Sequence, residues 1–249
     1  MPIDAITMLS TPAQPPNRTD DEFTSPSKIW TLTSLSRRAE LVNGKIADTV
    51  GLMPSKPYHH GDLRAVLIDA AVAEVENVGA AAVSLREIAR RAGVSHAAPA
   101  HHFGDKTGVF TAIATQGFRL TTEAIGPAAQ GPLGFIDGGA AYITFALVHP
   151  GYFEVMYRPG LYRTDDPDLV EAREAAFAVL EDSAAELARE WQIEDVLGLV
   201  SVGWSLCHGL ATLYLTGNVG DRLPTDPASI AVHVRNGLIA LGRVSETLT

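Results

Sequence analysis

Ser95, His96, Ala97, Ala100, His101, His102 and Lys106 crowd one short stretch of the chain, and Ser84 stands just upstream. Hydroxyls and imidazoles offer hydrogen bonds to base edges and phosphates. The alanines let a backbone approach a groove wall closely, and a lysine adds a cation for a phosphate. The same histidines, with His59 and His60, raise the possibility of a metal site. That reading is rejected, because no cysteine lies nearby and adjacent histidines on a short helix point in different directions. The chemistry left to this cluster is recognition of duplex DNA.

The elements around the cluster have the spacing such recognition needs. In SLREIARRAGVSHAAPAHHFGDK, residues 84–106, Ser84 is followed three positions later by Glu87, the pattern of a capping box at a helix start. Leu85, Ile88, Ala89 and Ala92 recur at helical spacing on one buried face, leaving Arg86, Arg90 and Arg91 outside it or at its edge. Gly93 ends this helix, because it adopts the left-handed conformation that other residues resist. Val94 then plugs the gap, and Ser95 is expected to cap a second helix over residues 96–102. Pro99, near the end of that helix's first turn, is expected to forfeit about one hydrogen bond. Asp105 is placed to cap the next helix, beginning near Thr107. Lys106 beside it either contacts a phosphate or is simply solvated. His102 and Phe103 are expected to pack and orient the turn into that helix.

Charge divides along the chain in a way that bears on a DNA partner. The net charge is −10, yet residues 56–119 hold seven Lys/Arg against six Asp/Glu, while residues 120–249 hold seven against seventeen. The acidity belongs to the C-terminal part. A near-neutral head implies few phosphate contacts per subunit, and hence a need for two heads. A single cysteine, Cys207, excludes an intramolecular disulfide framework and fits a reducing cytoplasm. The first thirty residues lack a basic start followed by an apolar run, so no secretory signal is expected. Residues 199–215, the most membrane-like stretch, are interrupted by Ser201, Ser205, His208 and Thr212. They are read as a buried bundle helix, with no membrane partner.

Residues 1–55 are rich in Pro, Ser and Thr from Ser10 to Ser36 and read as a mostly disordered extension, with a helical fragment near residues 37–50. Arg37 and Arg38 are read as part of a solvated tail, and Met53 offers an alternative start to the chain. A DNA-binding domain is expected over residues 56–119 and a helical effector-binding and dimerisation domain over 120–249. In the latter, helices are expected at about 135–148, 168–191, 194–215 and 227–247. A turn at His149-Pro150-Gly151 leads to a short aromatic segment ending at Tyr157, and residues 159–167 read as a loop. Nothing in the chain suggests a sheet, so the fold class is all-α.

Residues 58–119 resemble the N-terminal domain of the TetR family of bacterial regulators. The resemblance is carried by an opening helix at 62–77, the Gly79 turn, the helix-turn-helix, and His102-Phe103 followed by Asp105-Lys106. The family's recognition helix reads V-S-x-x-x-L-Y-x-H-F. Val94, Ser95, His102 and Phe103 match it, whereas Pro99 and Ala100 replace Leu-Tyr, which removes one backbone contact that the Tyr would make. A second resemblance, to a TetR subgroup with the signature Trp-x-x-x-His-Gly, rests on Trp204, His208 and Gly209, together with Tyr142, Phe145-Ala146, His149-Pro150, Tyr152-Phe153 and Met156. Trp204 and His208 share one helix face, where they either line an effector pocket or form a satisfied core pair. Gly209 would permit close approach by a neighbouring helix. Phe145, His149, Phe153, Met156 and Tyr157 complete the candidate pocket.

These resemblances imply a cytoplasmic, homodimeric regulator of transcription on a palindromic operator, without a cofactor. A repressor released by a small-molecule effector is expected, with an activator or dual regulator as the alternative. Dimerisation would use the last two helices as a four-helix bundle, setting two recognition helices about 34 to 36 Å apart in successive major grooves. An enzyme using His208 as a base is the rival from another class, and no second catalytic group stands at a recognisable spacing.

Overall fold

The computed structural model describes residues 63–246. The expected N-terminal extension, the fragment near residues 37–50, Met53, His59 and His60 lie outside the described residues. Within them the chain is helical throughout, without strands: α1 (Leu63–Val78), α2 (Leu85–Ala92), α3 (Ala98–Phe103), α4 (Lys106–Ile125), α5 (Gly134–Val148), α6 (Pro150–Met156), α7 (Pro167–Trp191), α8 (Val196–Leu215) and α9 (Pro227–Glu246). Short 3-10 turns at Pro159–Leu161 and Gly220–Arg222 fill two of the connections.

The helix-turn-helix forms for the reasons its spacing implies. The Ser84 hydroxyl accepts from the Glu87 amide at 3.2 Å, opening α2, but the reciprocal half of the capping box is absent because the Glu87 carboxylate is held by Arg90. Gly93 closes the helix at φ 68°, and the Val94 amide reaches back to the Ala89 carbonyl at 3.0 Å. Ile88 and Ala89 are fully buried, with Leu85, Ala92 and Val94 packed beside them.

The second helix is shorter than its sequence implies. Residues 96 and 97 are still in a turn, Ala97 rather than Ser95 occupies the cap position, and no side chain caps α3. Pro99 is therefore the second residue of the helix. Its missing N–H falls among the amides that have no intrahelical partner anyway, so it forfeits no bond, and its buried ring helps pack the helix. Asp105 caps α4 by accepting from the Gly108 amide at 2.8 Å.

Packing does not respect a boundary at residue 119. Helix α4 runs uninterrupted across it, burying Thr111, Thr115 and Thr121 by letting each hydroxyl donate to the carbonyl one turn back. One apolar cluster joins Leu67, Ile68, Val75, Ile88 and Phe110 of the head to Phe145, Tyr152, Val155, Met156 and Leu169 further along the chain. The rest of the body rests on two smaller clusters, one around Ile143, Phe153, Cys207 and Ile230, the other around Phe135, Leu187 and Val200.

Helix α8 departs from the buried helix expected of it. Only Val200, Cys207 and Ala211 are buried, and Leu197, Val202, Leu206 and Leu213 are exposed, as are Val232 and Leu241 of α9. By length and composition α8 would also pass as a membrane span. Ile230 and Val234 of α9, by contrast, are spent in the chain's own core, and Leu238 packs half-buried against it.

Candidate nucleic-acid interface and ligand cavity

Helix α3 and the turn before it present a small, sparsely charged surface. Ser84, Ser95, His96, Ala97, Ala100, His101 and His102 are all exposed, and Lys106 is half-buried. The His101 and His102 rings meet edge to face, with centroids 5.4 Å apart. Phe103 turns inward to the core, where the Arg64 guanidinium lies 5.3 Å over its ring. The Lys106 ammonium donates to the Ala81 carbonyl at 3.0 Å and sits over the Phe110 ring. One of its three donors is thus committed to holding α4 against the turn before α2.

Neighbouring arginines differ in their tasks. Arg90 is exposed and paired with Glu87 on its own helix, whereas Arg91 reaches across to Glu74 of α1 with bonds of 2.9 and 3.1 Å. Glu74 is buried, so Arg91 ties two helices together and is not free to meet a phosphate.

The body contains a cavity of about 990 Å³ bounded by α4 to α9. Phe118, Ile125, Phe135, Tyr142, Phe177, Leu180, Trp191, Leu199 and Cys207 contribute walls, with Met156, Tyr157 and Trp204. Those last three are the expected pocket residues that reach the void. Phe145, His149, Phe153 and His208 stand outside its lining. Phe145 is core, and His149 ends α5 between Phe145 and Tyr152. His208 stacks on Phe153, with ring centroids 5.0 Å apart, and its Nδ1 lies 2.9 Å from the Tyr142 hydroxyl. Trp204 and His208 share a face as their spacing requires, with centroids 6.3 Å apart. A β-carbon added at Gly209 would meet nothing within 4 Å among the described residues, so no described helix packs closely on it.

Burial sets the protonation of this cluster. It raises the Tyr142 phenol far above its ordinary value, pushes Tyr157 up to about 12 and the Cys207 thiol up to about 11, and lowers His208. A neutral imidazole beside a protonated phenol is satisfied when the phenol donates to Nδ1 and the ring proton resides on Nε2. His208 then serves as a prop for Tyr142, one wall of the cavity.

Comparison with known proteins bears on both surfaces. Residues 67–113 match the family model described as bacterial regulatory proteins, tetR family, and residues 135–236 match the tetracyclin repressor-like C-terminal domain. The chain belongs to the TetR family of bacterial regulators. A solved structure of a protein of unknown function from Rhodococcus sp. RHA1 is 32% identical, with a TM-score of 0.59, covering 74% of this chain and 98% of that one. The TetR family transcriptional regulator PfmR from Thermus thermophilus shares the fold at 15% identity and TM-score 0.57, covering 71% of this chain and 97% of its own. No curated protein matches.

As a TetR-family, DNA-binding transcription regulator, the protein joins its two surfaces through α6. Met156 at the end of α6 and Tyr157 just beyond it line the cavity, while the start of α6 holds the head. The Gly151 amide donates to Glu76 of α1 at 3.2 Å, and Glu154 accepts from the Ala80 amide at 3.1 Å. There is little slack beneath α6, since a side-chain carbon added at Gly117 would come within 2.5 Å of the Met156 sulfur. A second tie runs from Arg163 to Asp105, the cap of α4, at 2.8 and 2.9 Å. Neither tie was visible as a sequence motif. The walls missed in the sequence, such as Phe118, Phe177, Leu180 and Trp191, occupy apolar helix positions that are indistinguishable from core positions until a void opens beside them.

Proposed function

We infer that this regulator is a homodimeric repressor that holds a palindromic operator and leaves it when a small molecule fills the body cavity. The observation that carries this reading is the span of α6, whose end, with Tyr157 beyond it, walls the cavity while its start is hydrogen-bonded to α1. A ligand that displaces Met156 or Tyr157 pushes on the head through a short, tightly packed element. If the ligand prefers the displaced head by about 3 kcal/mol, operator affinity falls roughly a hundredfold by linkage.

The proposed DNA contacts are Ser84, Ser95, His96, Ala97, Ala100, His101, His102 and Lys106, acting in a bacterial cytoplasm. Dimerisation is supported by exposed apolar side chains of α8 and α9 outside the cavity, Leu197, Leu213 and Val232, which a monomer would leave in water, whereas the exposed Val202, Leu206 and Leu241 border the cavity. A second copy is the proposed occupant, in a four-helix bundle, and the Trp204–His208–Gly209 signature supports placement in the corresponding subgroup. An activator would use the same head. Catalysis with His208 as base is not favoured, since the imidazole is engaged with Tyr142 outside the cavity lining.

The test is to sequence genomic fragments retained by the protein. They should share an inverted repeat with half-site centres one helical turn, about 10 to 10.5 bp, or a multiple apart, close to the regulator's own gene or its targets. Retained fragments with no common repeat would overturn the reading.

A further inference from the structure

We propose that the ligand of the body cavity is an uncharged, predominantly apolar molecule with flat aromatic or fused-ring surface. The proposal rests on the effector reading above and narrows it to a chemical class.

The size of the void comes first. About 990 Å³ is at the upper end of small-molecule sites, which suits a drug-sized molecule better than a few-carbon metabolite. Its walls set the chemistry. Phe118, Tyr142, Tyr157, Phe177, Trp191 and Trp204 offer ring faces and edges from several directions. Such surfaces favour offset or edge-to-face contact with another ring.

Polar groups in the walls are largely committed elsewhere. The Thr121 hydroxyl donates to the Gly117 carbonyl at 2.9 Å, Ser183 to Leu180 at 3.0 Å and Tyr162 to Met156 at 2.6 Å, while Tyr142 is paired with His208. What the Thr121, Ser183 and Tyr162 hydroxyls offer a ligand is an acceptor lone pair, not a proton for an anion.

Charge is confined to the rim. Arg173 and Glu174 are the charged residues among the described lining. They are adjacent, opposite in sign, and 42% and 70% exposed, so they mark a solvated mouth. A carboxylate, phosphate or ammonium carried inside would be stripped of water and left without a counter-charge.

The experiment compares two fluorophores that share a ring skeleton, neutral N-phenyl-1-naphthylamine and anionic 8-anilinonaphthalene-1-sulfonate, titrated into the full chain. Trp191 and Trp204 line the cavity, so energy transfer from tryptophan reports occupancy beside the rise in probe emission. The neutral probe should bind at least tenfold more tightly. Gly138→Phe should weaken it at least tenfold, since a side-chain carbon there meets only Ala129 at 3.5 Å and the new ring fills the void. An unchanged melting temperature checks that the variant folds. Arg173→Ala should leave both affinities within twofold.

Preference for the sulfonate, especially one abolished by Arg173→Ala, would overturn the proposal, as would the absence of saturable binding by either probe. Operator release is scored separately. Cavity binding of the neutral probe without release supports the ligand class while removing that probe as an effector, whereas release by charged compounds alone overturns the ligand class and leaves the effector reading standing.

Discussion

Arg91→Ala should unfold the protein more readily and leave its DNA contacts almost untouched, although the residue sits in a helix-turn-helix beside another arginine. Its guanidinium holds the Glu74 carboxylate through Nε and Nη2, and the Glu74 side chain is only 6% exposed. Removing one partner of a buried pair typically costs about 3 to 5 kcal/mol, because the remaining charge is stranded without water. Arg91 is itself 35% exposed, so solvent screens part of the interaction, and about 2 to 3 kcal/mol is expected. At this chain length that corresponds to a fall of about 4 to 12 °C in melting temperature.

The neighbouring Arg90→Ala is the internal control. Its partner Glu87 lies on the same helix and its own side chain is 67% exposed, so solvent screens the pair and the change in stability should fall within the error of the measurement. Urea denaturation followed by circular dichroism gives both values. The double variant Glu74→Met/Arg91→Met should recover stability to within about 1 kcal/mol of the parent, because apolar residues of similar length replace the pair without stranding a charge. The reasoning is refuted if Arg91→Ala melts within about 2 °C of the parent while the salt dependence of operator binding falls by about one unit per subunit. That combination would make Arg91 a phosphate contact and the pair with Glu74 energetically idle.

For the reading head, His96→Ala should alter operator sequence preference, whereas Lys106→Ala should weaken all DNA alike and lower the salt slope by about one per subunit; equal losses on operator and random DNA for His96→Ala would remove its base-reading role. Leu213→Glu and Val232→Glu, both at exposed positions outside the cavity lining, should leave the fold intact but raise the dimer dissociation constant at least a hundredfold. Operator affinity should fall in step, and light scattering that reports a tight-binding monomer for the parent would contradict the dimer. Leu238 is a poor probe of that surface, because it packs against the chain's own core. Stability should decline as pH falls below the ordinary histidine value of 6.5. His149 and His208 are lowered by burial, so the unfolded chain takes up more protons in that window and gains from them. Glu76 and Asp69 are raised by burial and act with the opposite sign above the ordinary carboxylate range, and His208→Gln should flatten the decline that sets in below the ordinary histidine value.

Local features of this protein were legible in the amino-acid order because their physics is local. Ser84, Gly93 and Asp105 cap or terminate helices through bonds to backbone atoms a few residues away, and the structure shows those bonds. The spacing of Leu85, Ile88, Ala89 and Ala92 likewise named the buried face of α2. Even here the cap of α3 was misplaced. Ser95 has the preferred side chain, but the turn holding residues 96 and 97 delays the helix to Ala98.

Tertiary structure decided whatever depends on residues far apart in the chain. The tie from Arg91 to Glu74 crosses 17 positions and those from α6 to the head cross about 75, so no short window contains both partners. The same holds for the cavity. Phe145 and Phe118 are both buried apolar helix positions in one core cluster, yet only Phe118 also borders the void. Periodicity reports only that a side chain leaves water, and whether it meets a neighbour or an empty space is settled by how six helices pack around it.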